Sequence, residues 1–319
     1  METEPNQNIV VFFKNRFVPL REANVNILTH ALHYGTAVFE GIRGYWSAEQ
    51  EQLFLLRPLE HYQRWTANCG ILRIGPPFHA LALCEITVDL VRRNRFRTDL
   101  YVRPLAFKSA SRIGVAPDDQ DSIAIVVVPF GVYLDSSQGV HAGVVSWRRI
   151  QDNAIPPRGK ISGAYVNSVL ATDEARRNGF DEAILLTEEG HVCEGASCNL
   201  FLVSKGKLIT PGVSDNILEG ITRASVMELA RRELGLEVIE RPVSRSELYV
   251  SDELFFTGTA VEVAPVVRVD HRPVGAAEPG PITCELRRLY RDATRGRLPT
   301  YADWLLPAYY PEAAAGRAA

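Results

Sequence analysis

Lysine is scarce in this chain. Lys14, Lys108, Lys160, Lys205 and Lys207 are the only five among 319 residues, and Lys160 alone lacks an ordinary explanation as a strand or turn residue. Glu194 follows it by 34 positions, inside the segment E-G-A-S-C-N-L-F. An amine that can act as nucleophile and base, together with a spaced carboxylate, are the two groups a protein needs to hold pyridoxal phosphate and drive its electrons.

Other chemistries find less support. There is no P-loop, no G-x-G-x-x-G after a first strand, no H-E-x-x-H and no G-x-S-x-G elbow. His30 and His33 are spaced like ligands but have no acidic or cysteine partner nearby, so a structural role is expected. Cys193 and Cys198 form a C-x4-C pair with no second ligand pair, and no metal site is expected. The five cysteines are odd in number and scattered, which argues against a disulfide framework.

Composition agrees with a soluble globular protein. Hydrophobic content of 46% and charged content of 23% are near the average for that class and argue against disorder. A net charge of -3 gives no reason to expect nucleic acid or an anionic membrane surface as partner; small molecules are the expected ligands. No apolar run reaches the roughly 18 to 20 residues of a membrane span, and the polar, acidic start M-E-T-E-P-N-Q-N is unlike a secretory signal. A cytoplasmic location is expected. The length suggests two domains.

The elements that must position Lys160 and Glu194 follow from local pattern. Residues 9–20 read as a hairpin around Lys14-Asn15, and 53–57 as a short strand. Pro58 suits the first position of a helix that carries Arg64. A second helix at 79–95 has an apolar stripe of Leu83, Ile86, Leu90 and Val91. The β-branched and aromatic residues of 100–110 and 123–130 predict strands of one sheet. Alternation along the first sends Tyr101, Arg103, Leu105 and Phe107 to one face and Val102, Pro104, Ala106 and Lys108 to the other.

The polar stretch 133–139 reads as a linker, which separates a first unit, 1–132, from a second, 140–306, and leaves 307–319 as a loose tail. In the second unit a strand at 140–147 and a loop at 151–159 lead to Lys160. A helix at 164–178 is closed by Gly179. Strands follow at 182–187, 191–194, 199–203 and 208–209, with Lys205 and Lys207 flanking the turn at Gly206. Gly220 opens a helix to about 234, further strands are expected at 238–242, 253–257 and 263–269, and a last helix at 281–295. The fold class is α/β in the mixed sense. Gly220-Ile221-Thr222 stands at a helix start, where free N–H groups and the macrodipole favour an anion.

Taken together, H-A-L-H-Y-G-T-A-V-F-E-G-I-R, E-H-Y-Q-R, Y-V-R-P-L, G-K-I-S-G-A-Y-V-N, E-G-A-S-C-N-L-F, I-L-E-G-I-T-R and F-F-T-G-T-A resemble, in this order, the class IV (fold-type IV) aminotransferases, and among them the branched-chain amino acid aminotransferases. The resemblance spans nearly the whole chain. It implies two α/β domains with pyridoxal 5'-phosphate in the cleft between them, and a homodimer whose partner loop completes each substrate pocket. Lys160 would form the Schiff base with the cofactor aldehyde, Tyr165 would bond its ring oxygen, and Glu194 would keep its ring nitrogen protonated. Arg64, Leu218, Gly220, Ile221, Thr222, Gly258 and Thr259 would complete the cofactor site. Tyr101 with the backbone of Thr259 and Ala260 would receive the α-carboxylate, and Arg103 the side-chain carboxylate of glutamate or 2-oxoglutarate. Tyr34, Phe39, Phe130, Tyr133 and a partner-chain loop around Val115 would wall the apolar pocket. Phe130 stands where some relatives have tryptophan. The implied reaction is a ping-pong transamination between Leu, Ile or Val and 2-oxoglutarate. The nearest rivals are a D-amino acid aminotransferase and an aminodeoxychorismate lyase on the same fold; a catalytically idle binding protein is the rival of a different class.

Overall fold

The computed structural model describes residues 9–131, 134 and 136–309. Tyr133, the neighbouring positions 132 and 135, and most of the expected tail lie outside the described residues. Two sheets organise the chain. The first contains β1 (Val10–Phe13), β2 (Arg16–Pro19), β3 (Ala37–Phe39), β4 (Ile42–Ser47), β5 (Gln52–Leu56), β6 (Leu100–Lys108) and β7 (Asp121–Pro129). Helices α1 (His30–Tyr34), α2 (Pro58–Ile71) and α3 (Ala80–Asn94) accompany it. The second is built from β8 (Val140–Arg148), β9 (Glu182–Leu186), β10 (Val192–Gly195), β11 (Asn199–Ser204), β12 (Lys207–Thr210), β13 (Val238–Glu240), β14 (Glu253–Gly258), β15 (Glu262–Val269) and β16 (Arg272–Pro273), with α4 (Tyr165–Arg177), α5 (Ile221–Leu234) and α6 (Pro281–Thr294). A last strand, β17 (Leu305–Pro307), returns to the first sheet.

Pairing in the first sheet is antiparallel, and its strands run in the order β17-β5-β4-β6-β7-β1-β2, with β3 on β6. The place of β17 is a finding of the structure. Residues 305–309, which the sequence pattern divides between the second unit and a loose tail, are fixed to the first sheet instead: Leu305 and Leu306 pair with Leu56 and Leu55, and the Ala308 N–H donates to the Leu53 carbonyl. Pairing satisfies the β5 edge, which would otherwise present open backbone groups. Three residues are too short a run to announce themselves by period.

Residues 30–47 carry no clear pattern in the sequence either, and they hold α1, β3 and β4. Both faces of β4 are covered, with Ile42, Arg43, Gly44, Tyr45 and Ser47 all buried, so no alternation marks it as a strand. In β6 the expected alternation is seen: Val102, Pro104, Ala106 and Lys108 are buried, whereas Arg103 is exposed and Tyr101 half-buried. Lys108 is one of the most buried side chains, and its ammonium is held by the Asp121 carboxylate at 2.9 Å and the carbonyls of Arg73 and Asp118.

The cores interlock across the two halves. Ile161 and Ala164, from the Lys160 segment, pack into the core of the first sheet with Val38 and Trp65. Tyr45 and Leu56, from the first sheet, pack with Phe255, Leu286 and Tyr290 of the second half. At the seam two glycines meet: the Gly163 N–H donates to the Gly35 carbonyl at 3.1 Å, and Gly35 is left-handed at φ 66. A Cβ on Gly35 would stand 2.6 Å from the Gly163 Cα, a backbone atom that cannot rotate away. Gly35→Ala is therefore expected to cost about 1–3 kcal/mol of stability and to lower activity by displacing the Lys160 segment. Urea unfolding with a parallel activity assay checks this; a variant of unchanged stability would show that the seam yields.

Candidate active site

A cleft of about 980 Å³ opens between the two sheets, and Lys160, Tyr165, Glu194, Arg64 and Thr222 all line it. Lys160 enters on an unusual backbone. It lies between two short 3-10 turns at φ 44, ψ 43, a left-handed conformation uncommon for a residue with a Cβ. The segment is clamped from the first sheet, where the Phe39 N–H donates to the Lys160 carbonyl at 3.2 Å and Val38 bridges Ile161. The Lys160 Nζ donates to the Tyr165 hydroxyl at 2.9 Å and stands 5.0 Å from the centre of the Phe39 ring, which itself meets Tyr165 edge-on.

Glu194, near the end of β10, is buried. Its carboxylate accepts from Asn199 Nδ2 at 2.9 Å and from the Leu218 N–H at 3.1 Å, and pairs with Arg149 at 2.8 Å. Burial pushes the Glu194 carboxyl up from its ordinary pKa while the Arg149 guanidinium opposes that shift. A buried Glu194 needs a cation, and from sequence the cofactor ring is the only evident one. The chain supplies one of its own. Neither Arg149 nor Asn199 stands out before the fold is known: Arg149 falls between the strand expected at 140–147 and the loop at 151–159, and Asn199 is one residue of the motif around Glu194.

Behind Arg64, which lines the cleft, stands a second buried carboxylate that the sequence does not single out. Glu40 follows β3 and is wholly buried. It accepts from Arg64 Nε at 2.6 Å and Nη2 at 2.8 Å, and from His61 Nδ1 at 2.8 Å. Burial alone would raise the Glu40 pKa, yet Arg64 and His61 hold it well below the ordinary carboxylate range. Burial pushes the His61 pKa down, so a neutral ring with its proton on Nδ1 suits the contact. Arg64 also donates through Nη1 to the Glu219 carbonyl at 2.6 Å, which ties α2 to the turn before α5.

At that turn Gly220 caps α5 in extended conformation. A Cβ there would lie 2.0 Å from Asn199 Oδ1, so glycine is what lets the helix start approach Glu194's neighbour. The N–H groups of Ile221 and Thr222 fall in the first turn, where α-helices lack internal partners. Thr257 Oγ1, also in the cleft wall, is buried without a hydrogen-bond partner. Free helix-start amides, the Arg64 charge, an orphaned hydroxyl and a buried carboxylate in the same cleft fit a group that is a phosphate at one end and a basic ring nitrogen at the other.

The remaining expected residues divide. Leu218, Gly258, Thr259 and Ala260 line the cleft, as do Phe39, Tyr101, Arg103 and Phe130. Arg103 Nη2 donates to the Tyr101 hydroxyl at 3.1 Å, its guanidinium lies 4.6 Å from the Phe39 ring centre, and Phe130 packs on Tyr101. Gly41 makes room for Tyr101, since a Cβ there would sit 1.9 Å from its hydroxyl. Tyr34 and Val115 are not brought into the cleft of this chain. The Tyr34 hydroxyl accepts from the Gly114 N–H at 3.0 Å, and Val115 is 78% exposed. His30 bonds Thr36 and His33 the Ile27 carbonyl.

Removing the Glu40 charge leaves Arg64 without its counterion. Glu40→Gln is expected to destabilise the protein by about 3 kcal/mol at neutral pH. The sign with pH follows from the lowered folded-state pKa: the carboxylate's contribution is complete above the unfolded-chain value of 4.5 and is lost as pH falls below it. Unfolding curves of both proteins across that range should converge on acidification; a constant gap would contradict the ionic account.

Comparison with known proteins gives the family. Residues 37–269 match the family described as amino-transferase class IV. A probable branched-chain-amino-acid aminotransferase of Aquifex aeolicus (strain VF5) is 49% identical over 299 residues, 93% of this chain and 96% of the relative. The crystal structure of the branched-chain aminotransferase from Thermoproteus uzoniensis with norvaline superposes with a TM-score of 0.90 at 42% identity, over 94% of this chain and 99% of that one. The crystal structure of a T.th. branched-chain amino acid aminotransferase complexed with N-(5'-phosphopyridoxyl)-L-glutamate does so with a TM-score of 0.89 at 40% identity, over 94% and 98%. With its cleft, its amine and its two buried carboxylates assembled from the segments that the family match spans, this chain belongs to the class IV aminotransferases.

Proposed function

We propose that this protein transfers the amino group between branched-chain L-amino acids and 2-oxoglutarate, using pyridoxal 5'-phosphate. The observation that carries the reading is the Lys160 amine, bonded to Tyr165, facing the same cleft as the Glu194 carboxylate. The relatives named for branched-chain substrates, and the phosphopyridoxyl-glutamate bound by one of them, support the substrate and cofactor classes. They favour this reading over a D-amino acid aminotransferase or an aminodeoxychorismate lyase.

The cofactor, when bound, supplies an electron-withdrawing ring that stabilises negative charge at the amino acid Cα. The chain's own residues do the rest. Lys160 Nζ would take the proton from the amino acid Cα as general base and give it up as general acid at the cofactor's C4′ carbon, with Tyr165 fixing the direction of the amine. Glu194, paired with Arg149 and bonded by Asn199, would face the ring nitrogen and hold a proton on it. The α5 amides with Thr222, Thr259 and the Arg64 charge anchor the phosphate. Tyr101 and the Thr259-Ala260 backbone orient the α-carboxylate, and Arg103 meets the second carboxylate of glutamate. Phe39 and Phe130 keep water from the reacting carbon and present an apolar wall to a leucine side chain.

A homodimer with a shared pocket belongs to this proposal. Ile27, Leu32, Ile113 and Val115 are all more than half exposed, and the Tyr34 to Gly114 hydrogen bond joins their two segments. An apolar surface of this kind suits a second copy, and Val115 could then reach the partner's cleft. A cytoplasmic location is proposed on composition; no helix among the described residues is long and apolar enough to cross a membrane.

One panel assay of L- and D-amino acids with 2-oxoglutarate tests the reading, with L-leucine, L-isoleucine and L-valine expected to turn over and their D-forms not. A preference for D-amino acids, or absence of turnover in a protein that binds the cofactor, would overturn it. Lys160→Ala should lower kcat by about 10³-fold or more while leaving the fold intact by circular dichroism. Arg103→Ala should weaken 2-oxoglutarate by about 10- to 100-fold and leucine far less; equal losses would remove Arg103 from that role.

A further inference from the structure

Beside the substrate cleft lies a second cavity of about 880 Å³ with a different character. Six arginines line it: Arg43, Arg97, Arg287, Arg291, Arg295 and Arg297. Among the described residues only two carboxylates do so, Asp99 and Glu262. Both are already engaged. Asp99 accepts from the Trp46 N–H at 2.8 Å and from Arg295 at 2.9 Å, and Glu262 stands 3.7 Å from both Arg43 and Arg291. Arg297 finds its partner outside the lining, in Asp292. Leaving aside Arg287, which donates to the Ser136 carbonyl at 3.4 Å, five arginines still outnumber the three carboxylates among the described residues.

Arg43 makes the excess specific. Its side chain is only 5% exposed, and its nearest carboxylate oxygens, at 3.7 and 3.9 Å, are too far for hydrogen bonds. Its Nε is buried without a partner. A buried guanidinium with an unsatisfied donor is costly, and the natural acceptor for such a fork is a carboxylate or phosphoryl oxygen. The cavity volume is that of a small-molecule site.

Its position couples it to the substrate cleft. Pro129, Phe130, Gly131 and Ala260 line both cavities. The Arg43 guanidinium stacks 4.9 Å from the Phe130 ring centre, and Phe130 in turn packs 4.9 Å from Tyr101. An oxyanion that draws on Arg43 thus acts one contact from the residues lining the reaction cleft. It would also bridge the halves of the chain, since Arg43 belongs to the first sheet and Arg287 and Arg291 to α6.

We infer that this second cavity binds a compact multivalent oxyanion, a small polycarboxylate or an organic phosphate, and that its occupancy is felt in the substrate cleft through Phe130 and Ala260. The test is titration calorimetry on the holoenzyme with citrate and with inorganic pyrophosphate as separate probes, and with acetate at matched ionic strength as control. At least one probe should bind saturably, once per chain, and acetate should not. The double variant R287Q/R291Q should weaken that binding about tenfold or more while keeping its transaminase activity in the absence of the probe. Arg103→Gln should leave probe binding intact, which separates this cavity from the substrate cleft. The bound probe should shift the KM for 2-oxoglutarate in the parent enzyme and not in the double variant. Should the double variant fail to fold, Arg97→Gln alone provides the same comparison. Absence of saturable binding at millimolar probe, binding undiminished by the arginine changes, or binding abolished by Arg103→Gln would each overturn the inference, and a probe that binds without shifting KM would overturn its coupling to the cleft.

Discussion

The cleft depends on keeping carboxylates ionised where water scarcely reaches them. Taking a carboxylate out of water costs several kcal/mol even after relaxation, and protonation is the easier escape. At Glu194 the Arg149 guanidinium and the Leu218 N–H work against the upward shift that burial causes, and Asn199 donates to the same carboxylate. Glu40 is denied that escape by Arg64 and His61. Neither pair is a strong argument for stability, because apolar replacements often serve as well. Both are arguments about placement: each fixes a charged group on one wall of the cleft, and the two walls come from different sheets.

The lysine between them is held by backbone rather than by charge. Lys160 occupies a left-handed conformation that costs on the order of 1 kcal/mol or more, and the surroundings must over-determine it. They do so from both sides. Phe39 and Val38 bind the segment through the backbone, Ile161 and Ala164 are sunk in the first core, and the Gly35–Gly163 contact closes the seam. The strained residue therefore sits where the two halves of the chain are firmly joined, and the Nζ direction is set before any ligand arrives.

Much of this is legible in the sequence, and the gaps have physical causes. The scarcity of lysine singles out Lys160, and Gly220 before a periodic segment marks the start of α5, because both signals are local. Pro58 marks α2 for the same reason. The partners of the buried charges are not legible. Glu40, Arg149 and Asn199 meet their counterparts through tertiary contact, and nothing in F-E-G or W-R-R says which side chain each will face. Strands β3 and β4 escape notice because burial on both faces erases the period-2 pattern that identifies a strand. Tyr34 and Val115, named for the pocket by resemblance, lie away from this chain's own cleft, as surface positions that a single chain leaves uncovered.

If one amine in the second half of the chain carries the cofactor while Glu194 faces its ring nitrogen, the attachment point is open to direct chemical trapping. Borohydride reduction of the holoenzyme followed by peptide mass mapping should find a phosphopyridoxyl group on Lys160 and on no other lysine. Attachment at buried Lys108 or at another lysine, or no covalent attachment in a protein that nonetheless turns over leucine, would contradict that assignment.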